Sequence, residues 1–133
     1  MTQGKQPRVS IKNVEPAAYT AMYGLERYIR ETHLDKKLLE LIKIRASQIN
    51  GCAYCVDLHT RDARALGETE QRIYALSVWH DTPFFSEPER AVLALTEAVT
   101  LIAGHPAPDD VYAAVRTHFD EHETAQIIMA IVA

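Results

Sequence analysis

Asp35-Lys36-Lys37-Leu38-Leu39-Glu40-Leu41-Ile42-Lys43-Ile44-Arg45-Ala46-Ser47-Gln48-Ile49-Asn50-Gly51-Cys52-Ala53-Tyr54-Cys55-Val56-Asp57-Leu58-His59 is the stretch on which the reading of this chain turns. Asp35 is a good N-cap for a helix over 35–49. Leu38, Leu41, Ile42, Ile44 and Ile49 make that helix apolar on most sides, so it reads as buried. Asn50-Gly51 interrupts it, because both residues favour left-handed backbone. A new helix then starts near Cys52 and runs to about Leu66, with Gly67 as its stop. Two helices meeting at a sharp break, without a period-two run anywhere, predict an all-α fold.

Outward from this pair the chain reads as one domain over 1–133 with about six helices, in which the polar segment 1–13 is frayed or an arm wrapped on a neighbour. A helix over 16–32 carries Met22, Leu25 and Ile29 along one side. Thr69 caps a segment over 70–79, and His80-Asp81-Thr82-Pro83 breaks the pattern. Ser86-Glu87-Pro88-Glu89 is a capping box with proline in a permitted first-turn position. The helix it opens extends to about Ala103, with Val92, Leu95, Val99 and Ile102 inward. After the turn at 104–108 comes a helix over 109–119. Asp120 with Glu123 then resembles a second cap pair, opening a last apolar helix over 124–132.

Composition narrows the function. A chain of 133 residues buries roughly two-thirds of its unfolded surface without disulfide staples. Its two cysteines are therefore free for chemistry. A net charge of −4 with scattered Lys and Arg gives no basic stripe, which argues against nucleic acid. No apolar run approaches the roughly twenty residues of a membrane span, and the segment 1–7 lacks the apolar core of a signal peptide. The expected location is cytoplasmic, where a C-x-x-C is redox-active or metal-binding more often than structural.

Cys52 and Cys55 lie three residues apart, with His59 four beyond the second. A thiolate is the nucleophile in sulfur chemistry, and a second thiol in reach makes its oxidation reversible. On a helix Cys52, Cys55 and His59 share a face, and an i,i+3 pair has Cα atoms roughly 5 Å apart, within disulfide range. The first turn of a helix favours negative charge on a thiolate. Cys55 is the first choice for the attacking sulfur and Cys52 for the resolving one; the alternative exchanges them. Glu40 is twelve residues before Cys52, about 18 Å along one straight helix. If the chain folds back at Asn50-Gly51, its carboxylate can reach His59 and share acid–base work. Otherwise it pairs with Lys36 or Lys43 on its own surface.

Two other readings compete at the cysteines. They could be small buried apolar residues, or Cys52, Cys55, His59 and Glu40 could form a zinc set. Structural zinc draws its ligands as two separated pairs; no second C-x-x-C exists, and the one H-x-x-x-H, His118 with His122, is split by a predicted helix break, so no metal or other cofactor is expected. Tyr54 reads as an aromatic filling a helix interface, or else as a shield for the disulfide. Trp79, Phe84 and Phe85 read as core or subunit-contact residues. His33, His80, His105, His118 and His122 have no persuasive ligand spacing; a predicted break separates the last two.

The segment from Glu40 through Ile49-Asn50-Gly51-Cys52-Ala53-Tyr54-Cys55 to His59 resembles the signature of the alkyl hydroperoxidase D-like proteins, in the carboxymuconolactone decarboxylase-like superfamily. Trp79, Pro83-Phe84-Phe85-Ser86-Glu87, Glu89-Arg90-Ala91 and Glu97-Ala98-Val99-Thr100 extend the likeness over most of the chain from about Ile29. The resemblance implies an all-helical protomer forming homo-trimers or homo-hexamers, and a hydroperoxide substrate. It also implies Cys55, Cys52, His59 and Glu40 as a catalytic relay. The reductant would be a thiol or a lipoyl-type partner. Tyr54 stands where the best-known branch has a second histidine, as in a branch labelled peroxidase-related. The decarboxylase branch lacks the cysteine pair.

Overall fold

The computed structural model describes residues 6–133; of the expected arm over 1–13, residues 1–5 lie outside the description. The described residues form eight α-helices: α1 (Ile11–Val14), α2 (Pro16–Glu31), α3 (Lys36–Asn50), α4 (Ala53–Ala65), α5 (Glu70–Ala75), α6 (Glu87–Thr100), α7 (Asp109–His118) and α8 (Glu121–Val132). A 3₁₀ segment, Leu76–Asp81, follows α5, and there is no strand among these residues. The fold is all-α as the pattern predicts, with more elements than six.

α3 is the central helix, and its sequence explains why. It packs against α4, α6 and α8, and Leu38, Leu39, Leu41, Ile42, Ile44 and Ala46 are all buried. Leu38, Leu39 and Ile42 face a cluster with Ile29, Val92, Leu95, Val115 and Ile127. Leu41 and Ile44 face a second cluster with Ala63, Ile73, Leu76, Trp79, Phe85 and Leu93. α6 divides its apolar residues in the same way, so α3 and α6 form a wall with a core on each side. Leu41 has no exposed surface, and Leu41→Ala is expected to cost about 2–5 kcal/mol, read from the denaturant midpoint.

Local capping sets the helix starts. Asp35 accepts from the Lys37 N–H at 3.0 Å and Thr69 from the Arg72 N–H at 3.2 Å. Ser86 with Glu89 and Asp120 with Glu123 both form complete capping boxes. Because Glu123 is the third residue of its helix, α8 begins at Glu121 and not at 124.

Three expectations are corrected. α5 stops at Ala75 and tightens into the 3₁₀ segment in place of an α-helix to 79. An arginine from α6 holds the tighter form: Arg90 donates to the carbonyls of Trp79, Thr82 and His80, each at 3.0 Å. α6 stops at Thr100, where Leu101 leaves helical backbone (φ −97°, ψ 24°); the following turn carries Ile102 outward, 54% exposed. In α2 only the C-terminal half meets the core, so Ile29 is buried while Met22 is not. No helix is long and apolar enough to cross a membrane among the described residues.

Candidate active site

The turn between α3 and α4 is built from two residues with local reasons for their conformation. Gly51 adopts left-handed backbone (φ 68°, ψ 30°), which costs a glycine little. The Cys52 N–H then reaches back to the Ser47 carbonyl at 3.1 Å and the Gly51 N–H to that of Gln48 at 3.2 Å, the pattern of a Schellman ending. Cys52 is at once the N-cap of α4: its Sγ accepts from the Cys55 N–H at 3.3 Å. The end of one helix and the cap of the next are thus adjacent residues, and α4 doubles back along α3.

That reversal brings Glu40 to His59. Oε2 of Glu40 lies 2.9 Å from Nδ1 of His59, with side chains 19% and 18% exposed. The surface pairing for Glu40 does not occur. Lys43 pairs with Glu26 at 2.8 Å, and Lys36 donates to the carbonyls of Arg30 and Thr32. Cys52 and Cys55 are joined in a disulfide across a Cα–Cα distance of 5.3 Å, both half-buried. The cysteines are therefore not isolated core residues. Cys55 stands one turn from His59 on the same face of α4.

Among the described residues the group of three side chains placed to share a cation is Glu40, His59 and Asp62, whose ligand atoms lie within 4.8 Å of one another. Neither sulfur belongs to it, so the four-ligand set of Cys52, Cys55, His59 and Glu40 is not gathered. Asp62 is the neighbour that the sequence reading passed over; its spacing of three from His59 was the available signal. Tyr54 is 75% exposed and fills no helix interface in the chain, because its position in the first turn of α4 turns it away from α3. Phe85 and Trp79 are buried and Phe84 packs against their cluster.

Two cavities flank the pair. One, of about 450 Å³, is lined by Glu40, His59 and Asp62 with Lys43, Leu39 and Leu66 among its walls. The other, of about 570 Å³, is lined by Cys52 with Ser47, Gln48, Val56, Asp57 and Thr60.

A polar network behind the site ties α3, α6 and the 3₁₀ segment together. The Glu97 carboxylate accepts from Trp79 Nε1 at 2.8 Å and Arg45 Nε at 3.0 Å, and lies 3.1 Å from His80 Nε2. Arg45 also donates to the Gln48 side chain at 3.1 Å, beside the Cys52 cavity. Burial pushes the Glu97 carboxyl upward, but the hydrogen bonds from Trp79, His80 and Arg45 outweigh it and hold the group below its usual 4.5. A carboxyl depressed in the folded state stabilises the fold above its unfolded value and loses that contribution as pH falls through the folded one. Glu97→Gln should therefore be less stable than the parent at neutral pH, with the gap closing below pH 4.5. Thermal unfolding across that range checks it; a gap independent of pH would contradict it.

The geometry can be set beside known proteins. The chain belongs to the carboxymuconolactone decarboxylase family, whose profile matches residues 16–98, and within that superfamily it is alkyl hydroperoxidase D-like. It is 44% identical over 124 residues to the uncharacterized protein YdfG of Bacillus subtilis (strain 168), covering 93% of this chain and 84% of that protein. It is 29% identical over 109 residues to the uncharacterized protein YnjA of Escherichia coli (strain K12), covering 82% of this chain and 56% of that one. A crystal structure from Agrobacterium tumefaciens superposes with a TM-score of 0.92 at 42% identity, covering 96% of this chain and 87% of its counterpart. That protein, ATU0492, is of unknown function and is described as a candidate antioxidant defence protein, AhpD.

Proposed function

We propose that the protein is a thiol-dependent peroxidase of the peroxiredoxin-like kind, reducing hydroperoxides through the Cys52–Cys55 pair with Glu40 and His59 as its proton relay. The observation that carries this reading is the 2.9 Å contact between Glu40 and His59, one helical turn from a cysteine pair that closes as a disulfide. The description of the Agrobacterium protein supports it from outside the chain.

His59, backed by Glu40, takes the proton of the Cys55 thiol, and the thiolate attacks a peroxide oxygen as the O–O bond breaks. The departing alkoxide leaves as an alcohol with a proton from His59, which Glu40 orients and recharges. Cys55 is then a sulfenic acid. The Cys52 thiolate attacks its sulfur, releasing water and forming the disulfide. Two electrons from an external thiol or lipoyl-type reductant restore the dithiol. Sulfur carries the redox change, so the cycle uses no metal or other cofactor.

The reading includes a cytoplasmic setting, where a reductant pool keeps the cycle running, and a homo-trimer or homo-hexamer. Supporting the assembly, Ile11, Val14, Met22, Tyr23 and Tyr28 leave α1 and α2 with apolar surface uncovered. Light scattering should give three or six times the 15.0 kDa of the chain; a monomer would contradict that part.

The test of function is hydroperoxide consumption by purified protein under a dithiol reductant. Turnover that follows protein concentration is expected. Exchange with disulfide substrates but no peroxide loss would favour a dithiol/disulfide oxidoreductase. Neither activity would leave a redox-sensing module.

A further inference from the structure

Behind the cysteine pair lies a chain of hydrogen bonds that the peroxidase cycle does not use. Trp79, 3% exposed, donates its indole N–H to Glu97 at 2.8 Å. Glu97 also accepts from Arg45 Nε at 3.0 Å, and Arg45 Nη1 meets Oε1 of Gln48 at 3.1 Å. A guanidinium only donates, so the Gln48 atom it meets is the amide oxygen. That fixes the amide's orientation. The NH₂ group is left on the far side from Arg45, with two donors and no protein acceptor among the described residues.

Gln48 lines the cleft of about 570 Å³ together with Ser47, Cys52, Asp57 and Thr60. The two hydroxyls there are committed: Ser47 donates to the Lys43 carbonyl at 2.6 Å and Thr60 to the Val56 carbonyl at 2.7 Å. An ionised Asp57 only accepts. Among the described side chains of this cleft, Gln48 is therefore the one with N–H groups to offer a ligand. Both sulfurs are at hand, since Cys55 is bonded to Cys52.

We infer that Gln48 is a substrate-binding residue, whose amide N–H donates to the terminal oxygen of the hydroperoxide and holds it against the cysteine pair, with Arg45 and Glu97 as positioning residues that fix the donor. The inference rests on the peroxidase reading and adds the group that holds the substrate. The oxygen held is the one the thiolate attacks. It becomes the sulfenic hydroxyl as the other oxygen leaves in the alcohol, and it departs as water when the second thiolate closes the disulfide. Gln48 forms no covalent bond and gives up no proton. Donation from Arg45 to the amide oxygen polarises the amide and strengthens its N–H as a donor. Hydrogen peroxide and organic hydroperoxides all end in the same O–H, so a donor to that oxygen serves them equally. A residue that recognised the organic group would not.

The test measures the second-order rate of thiol loss when reduced protein meets hydrogen peroxide or cumene hydroperoxide. Gln48→Met removes the donor at nearly constant length, and it should slow both reactions by the same factor, about tenfold. Iodoacetamide alkylates the same thiols without a peroxide oxygen, and its rate should match the parent's at each pH. Arg45→Lys keeps a cation beside Glu97 but has no second arm for Gln48. It should lose about threefold, and adding Gln48→Met should bring the rate no lower than Gln48→Met alone. Gln48→Glu keeps a partner for Arg45 and lacks the donor; it should lose at least about tenfold and replaces the methionine variant if that one does not fold. Unchanged peroxide rates in Gln48→Met, a loss confined to one peroxide, or an equal fall with iodoacetamide would each overturn the assignment. A parent that consumes no peroxide overturns the peroxidase reading and this inference together, whereas a competent parent with an unaffected Gln48→Met overturns the inference alone.

Discussion

Cys55→Ser is expected to reduce hydroperoxide consumption to the uncatalysed rate, a fall of at least about a thousandfold, because a serine hydroxyl supplies no thiolate at neutral pH. Cys52→Ser should behave differently. Its Cys55 still attacks, so one equivalent of peroxide is consumed, and the reaction then stops at a sulfenic acid with no thiol to resolve it. A sulfenate-specific reagent should label Cys52→Ser and not Cys55→Ser. The reverse labelling would exchange the two roles, and unchanged turnover in Cys55→Ser would remove the mechanism. Both substitutions are nearly isosteric at half-buried positions, so helical circular dichroism should match the parent.

Glu40→Gln is expected to lower kcat/KM for hydroperoxide by about a hundredfold, the ordinary loss when an acid–base partner can no longer carry a proton. Glutamine keeps the size and one acceptor, so it can still meet His59; what it cannot do is take up and return a proton. His59→Gln should cost about as much. The double variant should be little worse than either single one, since the two act as a unit through a 2.9 Å contact. Raising pH should restore part of the loss in Glu40→Gln, because hydroxide then forms the thiolate that the relay formed before. If Glu40 serves only to join α3 to α4, the variant would instead lose thermal stability and keep its turnover at every pH.

Much of this architecture was legible in the sequence because its signals are local. Asp35, Thr69, Ser86 with Glu89 and Asp120 with Glu123 each act through contacts within three residues, and each cap forms in the structure. Asn50-Gly51 was the most productive of these signals. It predicts a reversal, and the reversal is what allows a glutamate nineteen positions from a histidine to touch it.

What escaped the sequence depends on distant partners. Arg90 on α6 tightens the end of the segment after α5 by holding its carbonyls, and no pattern within residues 70–81 announces that. Glu97 gathers Arg45 from 52 residues away and Trp79 from 18, spacings with no periodic meaning. Met22 and Ile102 have helical spacing relative to buried neighbours. Periodicity names a face, but whether another element covers it is a property of the assembled fold. Asp62 and Tyr54 differ again: both lie in α4, where spacing from His59 and from Cys55 would have placed the first beside the Glu40–His59 pair and the second away from it.

Counting thiols tests the central claim most directly. Reduced protein carries two per chain, since Cys52 and Cys55 are its only cysteines. One equivalent of hydrogen peroxide should remove both and leave a disulfide within the same chain, with the peroxide consumed and the thiols recovered by dithiothreitol. Two thiols remaining beside unspent peroxide would contradict the account.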